Sequence, residues 1–228
     1  MRTVIFDLDG TLADTSGDLI AAANACLREL GTGDPLEPGR DAGVAFHGGR
    51  AMLERALRQL PPHERAAAVE AGYPLLLEAY ARDIDTHTTL YPGAMDAVAA
   101  LRAAGCRLGI CTNKPAALAE LLLERLGVRG AFDSLIGADT LSVRKPDPAT
   151  LHEAVRRAGG APGHALLVGD TRTDRDTARA AGVPCVLVGF GPDGAGVAAM
   201  APEAVIGAYH ELPPVVQRLL PADTKSPA

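Results

Sequence analysis

The sequence predicts an α/β protein: a Rossmann-like, doubly wound parallel sheet with an all-helical block inserted after its first strand. Short runs rich in Val, Ile and Leu alternate with longer helical patterns, as a parallel sheet with crossover helices requires. That alternation stops between Asp14 and Thr88, where helix follows helix. A length of 228 residues suits one core carrying an insertion better than two full domains. The first strand is Thr3–Phe6. In the inserted block Ser16 can cap a helix with Leu19, Ile20, Ala23, Leu27 and Leu30 on one face. A second helix runs from Arg50 to Leu60 on a stripe of Met52, Leu53, Ala56, Leu57 and Leu60. A third, His63 to Tyr80, is expected to be interrupted at Pro74.

After the insertion the strands are Arg107–Cys111, Ser134–Ile136, Leu166–Val168, Pro184–Val188 and Ala204–Ile206. Between them, Gly93–Ala104 and Pro115–Leu126 start at or just after a proline and stop at glycine, and Pro148–Ala158 and Thr173–Ala181 also end before one. Proline has its φ preset for the first helical turn, and glycine reaches positive φ past the last. The glycine-rich stretch Gly189–Gly196 reads as a loop, because no helix opens from it as a dinucleotide fingerprint requires. The tail Pro221–Ala228 is expected to fray. The division expected is a core of residues 1–13 and 89–228, and a helical domain of 14–88.

Composition narrows the function. With 47% hydrophobic and 22% charged residues the chain is not of the disordered class. A net charge of −6 argues against a broad nucleic-acid or anionic-membrane surface, so any anion handled is expected to be small. No apolar run approaches the length of a membrane span. Four cysteines without CxxC spacing read as small buried hydrophobes in a reducing compartment, which places the protein in the cytoplasm.

In an open parallel sheet, ligands bind beyond the carboxyl ends of the strands. There the chain places Asp7, Asp9, Gly10 and Thr11 after the first strand, and Thr112 and Asn113 after the second. Lys145 follows the third, and Asp170, Thr171 and Asp174 follow the fourth. Clustered carboxylates repel one another unless a cation or a proton intervenes. With no His or Cys cluster, an all-oxygen site points to Mg²⁺, which commonly bridges to a phosphate. Lys145 and Mg²⁺ would hold a phosphoryl group, with Thr112, Asn113 and the amides around Gly10 donating to its oxygens. One carboxylate is then free to attack phosphorus, and Asp9 sits where an acid can protonate the departing alcohol.

These residues resemble a known family. FDLDGTLADT, CTN, RKPDP and GDTRTD are similar, in order and separation, to the four motifs of the haloacid dehalogenase-like (HAD) hydrolases. The inserted helices fall where one type in that family carries its cap. The resemblance implies Asp7 as nucleophile and metal ligand, Asp9 as acid and base with its backbone carbonyl on the metal, and Asp170 as a further metal ligand. It gives Thr112, Asn113 and Lys145 the phosphoryl group, and Asp174 a supporting role, ordering metal-bound water or orienting Lys145. Within the family, TLYPG, TNKP, GADTLSVRKPDP and GGRAMLERAL look like bacterial phosphoglycolate phosphatases. The implied reaction is Mg²⁺-dependent hydrolysis of a small anionic phosphate ester, 2-phosphoglycolate first, by a monomer or homodimer.

Competing readings stay in view. Asp9 argues against a dehalogenase, whose leaving halide needs no proton. The absence of lysine between Asp14 and Thr88 argues against a Schiff-base phosphonatase. A hexose-phosphate mutase shares the same core, and a phospho-Asp signalling module shares the sheet and acids but lacks the DxDGT pair with its helical insertion. In the inserted block, His47-Gly48-Gly49-Arg50 opens a helix. Arg50 with the exposed amides could take a substrate carboxylate, or the segment could be a plain tight turn. Asp139, Asp147 and Asp176 read as turn formers or helix caps. Of only three lysines, against nineteen arginines, Lys145 before Pro146 reads as a compact site cation where a guanidinium would not fit, while Lys114, given no role, is the reminder that a lysine can also be placed by chance.

Overall fold

A computed structural model describes residues 1–221, and they fall into two compact units, Met1–Leu12 with Leu90 onward, and Ala13–Thr89. The end expected to fray lies, from residue 222, outside the described residues. In chain order the strands are β1 (Thr3–Phe6), β2 (Ala13–Asp14), β3 (Thr89–Leu90), β4 (Arg107–Cys111), β5 (Ser134–Ile136), β6 (Ala165–Gly169), β7 (Cys185–Val188) and β8 (Ala204–Ile206). The helices are α1 (Ser16–Glu29), α2 (Pro38–Ala45), α3 (Gly49–Ala56), α4 (Pro62–Arg82), α5 (Ala94–Ala103), α6 (Ala116–Arg125), α7 (Pro148–Arg157), α8 (Arg172–Ala181) and α9 (Leu212–Leu219).

The first unit is built on a six-stranded sheet of order β5-β4-β1-β6-β7-β8, parallel throughout. Strands covered on both faces must be apolar at consecutive positions rather than alternately. All four residues of β1 are accordingly buried. Ile5, Leu151, Val155, Leu167, Ala178 and Leu187 share one buried cluster, which joins α7 and α8 to the sheet. Gly109 is required in β4, since a Cβ there would sit 2.3 Å from Ser134 Oγ and 2.8 Å from Ile5 Cδ1. Chain order runs outward from β4 to β5, then crosses β1 to β6 and runs outward the other way. The carboxyl ends of β1, β4 and β6 therefore meet where the winding reverses, the place such sheets reserve for ligands. Register keeps those ends level, with Phe6 opposite both Ile110 and Val168.

The second unit is helical, with the short strands β2 and β3 paired at its limits. The structure corrects the sequence reading here in four places. Helix α4 is not interrupted at Pro74 but runs through it. The lost amide bond of Pro74 is outweighed by burial of Val69, Leu76, Ala79 and Tyr80 and by a close approach at Gly72. A Cβ on Gly72 would lie 3.1 Å from both Cys26 Sγ and Leu30 Cδ1. Helix α3 stops at Ala56 rather than continuing to Leu60. Ser16 does not cap α1, because its hydroxyl donates to Asp14 Oδ1 at 2.6 Å and Thr15 holds the cap position. The helix α2 was not anticipated. In the first unit, the stretch read as a loop at Gly189–Gly196 ends in a 3₁₀ helix, Gly194–Met200. All four cysteines are buried and free, and no helix among the described residues is long and apolar enough to cross a membrane.

Candidate active site

The site's central network is built on the segments that follow strands of the first unit: Asp7 and Asp170 come directly after β1 and β6, Asp174 lies in the first turn of α8, and Lys145 comes from the longer segment after β5. Asp7 follows β1, and its amide still donates to Val168 O at 2.9 Å, so the sheet ladder holds its backbone. Its Oδ1 accepts from the Leu8 amide at 2.7 Å, and its Oδ2 lies 2.9 Å from Lys145 Nζ. Asp170, fully buried after β6, accepts the Thr11 hydroxyl on Oδ1 at 2.7 Å. Its Oδ2 is buried without a hydrogen-bond partner among the described residues. Asp174 belongs to a capping box at the start of α8. Its Oδ2 accepts the Thr171 hydroxyl and amide at 2.7 and 3.1 Å and its Oδ1 accepts Lys145 Nζ at 2.6 Å. Gly169 makes room for this, since a Cβ there would lie 2.4 Å from Asp174 Cβ.

Two of these buried carboxylates, Asp7 and Asp174, thus share one buried ammonium, and the third, Asp170, lies beside them without pairing to it. Burial pushes the Asp7 carboxyl up to about 6; the attraction of Lys145 only partly offsets this, and the neighbouring acids add to the rise. Asp170 is pushed well up by burial and then by the charges of Asp174 and Asp7. Lys145 goes the other way: burial would lower it, but Asp174 and Asp7 hold it protonated beyond the ordinary lysine range. A cluster with more acid than base, closed off from water, is short of positive charge.

The donor set fits a hard divalent cation. Asp7, Asp170 and Asp174 each offer an oxygen, all within 4.8 Å of one another. The oxygens of Asp174 are already engaged by Lys145, Thr171 and the Asp170 amide. The unpartnered Oδ2 of Asp170 is therefore the carboxylate oxygen with most capacity left for Mg²⁺, and Asp7, whose oxygens accept from the Leu8 amide and face Lys145, lies within reach of the same point.

Around this centre the structure brings together most of the other candidates. Thr112 is buried past β4, its amide held by Ile136 O at 2.9 Å, and exposed Asn113 donates to the Lys145 carbonyl at 3.1 Å. Gly10 takes φ 77°, a left-handed value that favours glycine. Asp9 Oδ1 lies 2.8 Å from Lys114 Nζ, so Lys114, given no role from the sequence, is a buried cation paired to a candidate site residue. Asp147 caps α7 through the Ala149 amide, and Asp139 accepts the Ala116 amide ahead of α6. Arg50 lies in the second unit, paired with Glu70 and stacked 4.2 Å above the Tyr73 ring.

Sequence reading gave no role to three contributors, although it placed Thr11 at the strand end. Thr11 holds Asp170. Tyr209 donates to the Thr11 carbonyl at 2.6 Å from a position 198 residues away. Gly191 leaves space where a Cβ would meet Gly10 O at 2.9 Å and Asp170 Cβ at 3.2 Å. Thr11 had a signal, its place inside the DxDGT run; no local pattern marks the other two.

The chain is similar to known proteins. The family model for haloacid dehalogenase-like hydrolase matches residues 1–182. A phosphoglycolate phosphatase of Mesorhizobium japonicum is 42% identical over 211 residues, covering 92% of each chain. Phosphoglycolate phosphatase 1 of Pseudomonas aeruginosa is 37% identical, covering all of this chain and 85% of its own. Among solved structures, a predicted phosphoglycolate phosphatase from Haemophilus somnus superimposes with a TM-score of 0.81 at 23% identity, covering 95% of this chain and 98% of its own. The CbbY protein of Rhodobacter sphaeroides, solved with phosphate, gives 0.73 at 23% identity, covering 93% and 96%. At such identity these two establish the fold alone.

Proposed function

The chain belongs to the haloacid dehalogenase-like hydrolase family, and on that premise we propose that it is a phosphatase of small phosphate monoesters, acting first on 2-phosphoglycolate. The observation that carries the proposal is the buried, cation-poor trio of Asp7, Asp170 and Asp174 around Lys145 at the winding reversal. Relatives named for this activity cover nearly the whole chain.

In this reading Asp7 attacks phosphorus through one carboxylate oxygen. The ester bond breaks, the departing alkoxide takes a proton from Asp9, and the phosphoryl group stays on Asp7. Water then attacks the acyl phosphate, gives its proton to Asp9, and leaves inorganic phosphate and a free Asp7. Splitting the hydrolysis in two avoids the very slow direct step. Lys145, fixed by Asp174 from one side, faces Asp7 with a compact positive charge suited to the phosphoryl oxygens. Thr112, Asn113 and the Gly10 amide are assigned to those same oxygens. Asp7, Asp170 and the Asp9 carbonyl would hold Mg²⁺, which when bound neutralises charge that would otherwise keep a phosphate dianion away from Asp7. Arg50 is assigned an anion contact from the helical unit.

A panel of phosphate esters, assayed with and without Mg²⁺, tests the proposal. It expects Mg²⁺-dependent release of phosphate, with phosphoglycolate hydrolysed ahead of sugar phosphates. No preference among the esters would reduce it to a phosphatase of unassigned substrate. A stable phosphoprotein with no release would favour a signalling role instead.

A further inference from the structure

The described residues contain two lysines, and the fold puts both in the same place. In a chain with nineteen arginines, Lys114 and Lys145 are each buried, and each is paired with a carboxylate of the motif that follows β1. Lys145 has a stated task at the phosphoryl group. Lys114 has none, yet its ammonium lies 2.8 Å from Asp9 Oδ1 with its side chain only 3% exposed, while Asp9 is 18% exposed.

The backbone of Lys114 is fixed on both sides. Its amide donates to Thr112 Oγ1 at 3.2 Å, and its carbonyl accepts from the Ala138 amide at 3.0 Å. An ammonium held on so short a tether to β4 is placed in advance of any ligand. Asp9, as the acid of the proposed reaction, must reach the ester oxygen of the substrate. In phosphoglycolate that oxygen and the carboxylate carbon are joined through a single methylene. A cation in contact with Asp9 therefore stands beside the space where the substrate's carboxylate must lie.

We propose that Lys114 is the core's recognition residue for a carboxylate next to the scissile ester. The substrate's carboxylate takes the ammonium from Asp9, and Asp9, released from it, turns to the ester oxygen. An ester lacking the carboxylate leaves Lys114 on Asp9, so the same exchange favours short carboxylated phosphates over neutral ones. This inference rests on the phosphatase reading and goes beyond it by naming the group that selects the substrate.

The test compares phosphoglycolate with ethyl phosphate, equal in length and lacking the carboxylate, for the Mg²⁺-loaded full chain and its Lys114→Gln and Lys114→Arg variants. The readout is the ratio of kcat/KM for the two esters. Loss of one charge-assisted bond predicts that Lys114→Gln lowers this ratio about 10- to 100-fold, mainly through KM for phosphoglycolate. Lys114→Arg, which keeps the charge, should retain most of the preference, and it keeps the proposal testable if the glutamine variant does not fold. Equal losses on both esters would overturn the proposal and leave Lys114 a positioning residue for Asp9, and an unchanged ratio would overturn it outright. A wild-type enzyme that hydrolyses both esters equally well would instead refute the substrate reading on which the proposal stands.

Discussion

Both units bury carboxylates, and they treat them in opposite ways. In the helical unit Asp41 is 1% exposed and lies between Arg55, at 2.7 Å from Oδ1, and Arg40, at 2.9 Å from Oδ2, while the Glu37 amide donates to it as well. Burial alone would raise its pKa, but these bonds more than offset that and hold the carboxyl below the usual carboxylate range. Asp18 accepts the His87 and Thr88 amides and the Thr88 hydroxyl. In the sheet unit Asp7 and Asp170 are pushed upward, and one oxygen of Asp170 has no partner among the described residues. A carboxylate that serves the fold is supplied with donors by the fold. One left short of them is placed for something that arrives from outside.

The contrast can be broken most severely at Asp7. Asp7→Asn should lower turnover by about 10⁴-fold or more while the far-UV spectrum and thermal unfolding remain those of a folded protein. A variant that still turns over would move the nucleophile elsewhere.

Stability should change in opposite directions for the two kinds of acid. Asp41→Asn removes charged acceptors from two guanidiniums that are themselves 52% and 37% exposed, and should cost about 1–2 kcal/mol in denaturant unfolding. Asp170→Asn removes a buried acid whose Oδ2 has no partner among the described residues, and in Mg²⁺-free protein should gain roughly 1–2 kcal/mol. The same substitution should abolish the stabilisation that wild-type protein gains on adding Mg²⁺. Loss of stability in both variants would erase the distinction.

The pH response sharpens it further. Because the folded Asp7 carboxyl titrates at about 6 against 3.8 unfolded, its protonated form favours the native state. The stability this brings is present below the unfolded value and is lost as pH rises toward about 6. Asp41 is depressed, so its contribution is present above the unfolded value and lost as pH falls below it. Unfolding curves of Mg²⁺-free protein across this range should show the high-pH loss flattened by Asp7→Asn and the low-pH loss flattened by Asp41→Asn. The smallest effect is expected at Arg50, since the substrate must compete there with Glu70. Arg50→Ala should raise KM for phosphoglycolate by several-fold and more than for an uncharged aryl phosphate, and equal effects would remove Arg50 from recognition.

The sheet unit was the more legible of the two for a physical reason. Strands covered on both faces leave unbroken apolar runs, so β1, β4 and β5 could be read to the residue from Thr3–Phe6, Arg107–Cys111 and Ser134–Ile136, and the edge strand β8 from the apolar run Ala204–Ile206, although Val205 is exposed there. The polar residues that end such runs announce themselves, as Asp7, Thr112 and Asp170 do. The helical unit hides its determinants in tertiary contacts. Helix α2 has two glycines in eight residues and owes its anchoring to Asp41 and an arginine fourteen positions away. Pro74 argues locally against a helix that the packing of Gly72 on Cys26 and Leu30 maintains. Lys114 shows the same limit in the site itself. Its partner Asp9 is 105 residues distant, and nothing near Lys114 in sequence separates an ion-paired lysine from a solvated one.

The central claim is that Asp7 is the group that takes the phosphoryl transfer. Mass spectrometry of peptides from acid-quenched Asp9→Asn enzyme, mixed with Mg²⁺ and an aryl phosphate whose leaving group needs no proton, tests it most directly, because loss of Asp9 then slows hydrolysis of the acyl phosphate and spares its formation. The account predicts phosphoryl mass on the peptide that carries Asp7 and its absence when Asp7 is also replaced by Asn. Phosphoryl mass on another residue, or steady turnover by the enzyme without Asp7, would contradict it.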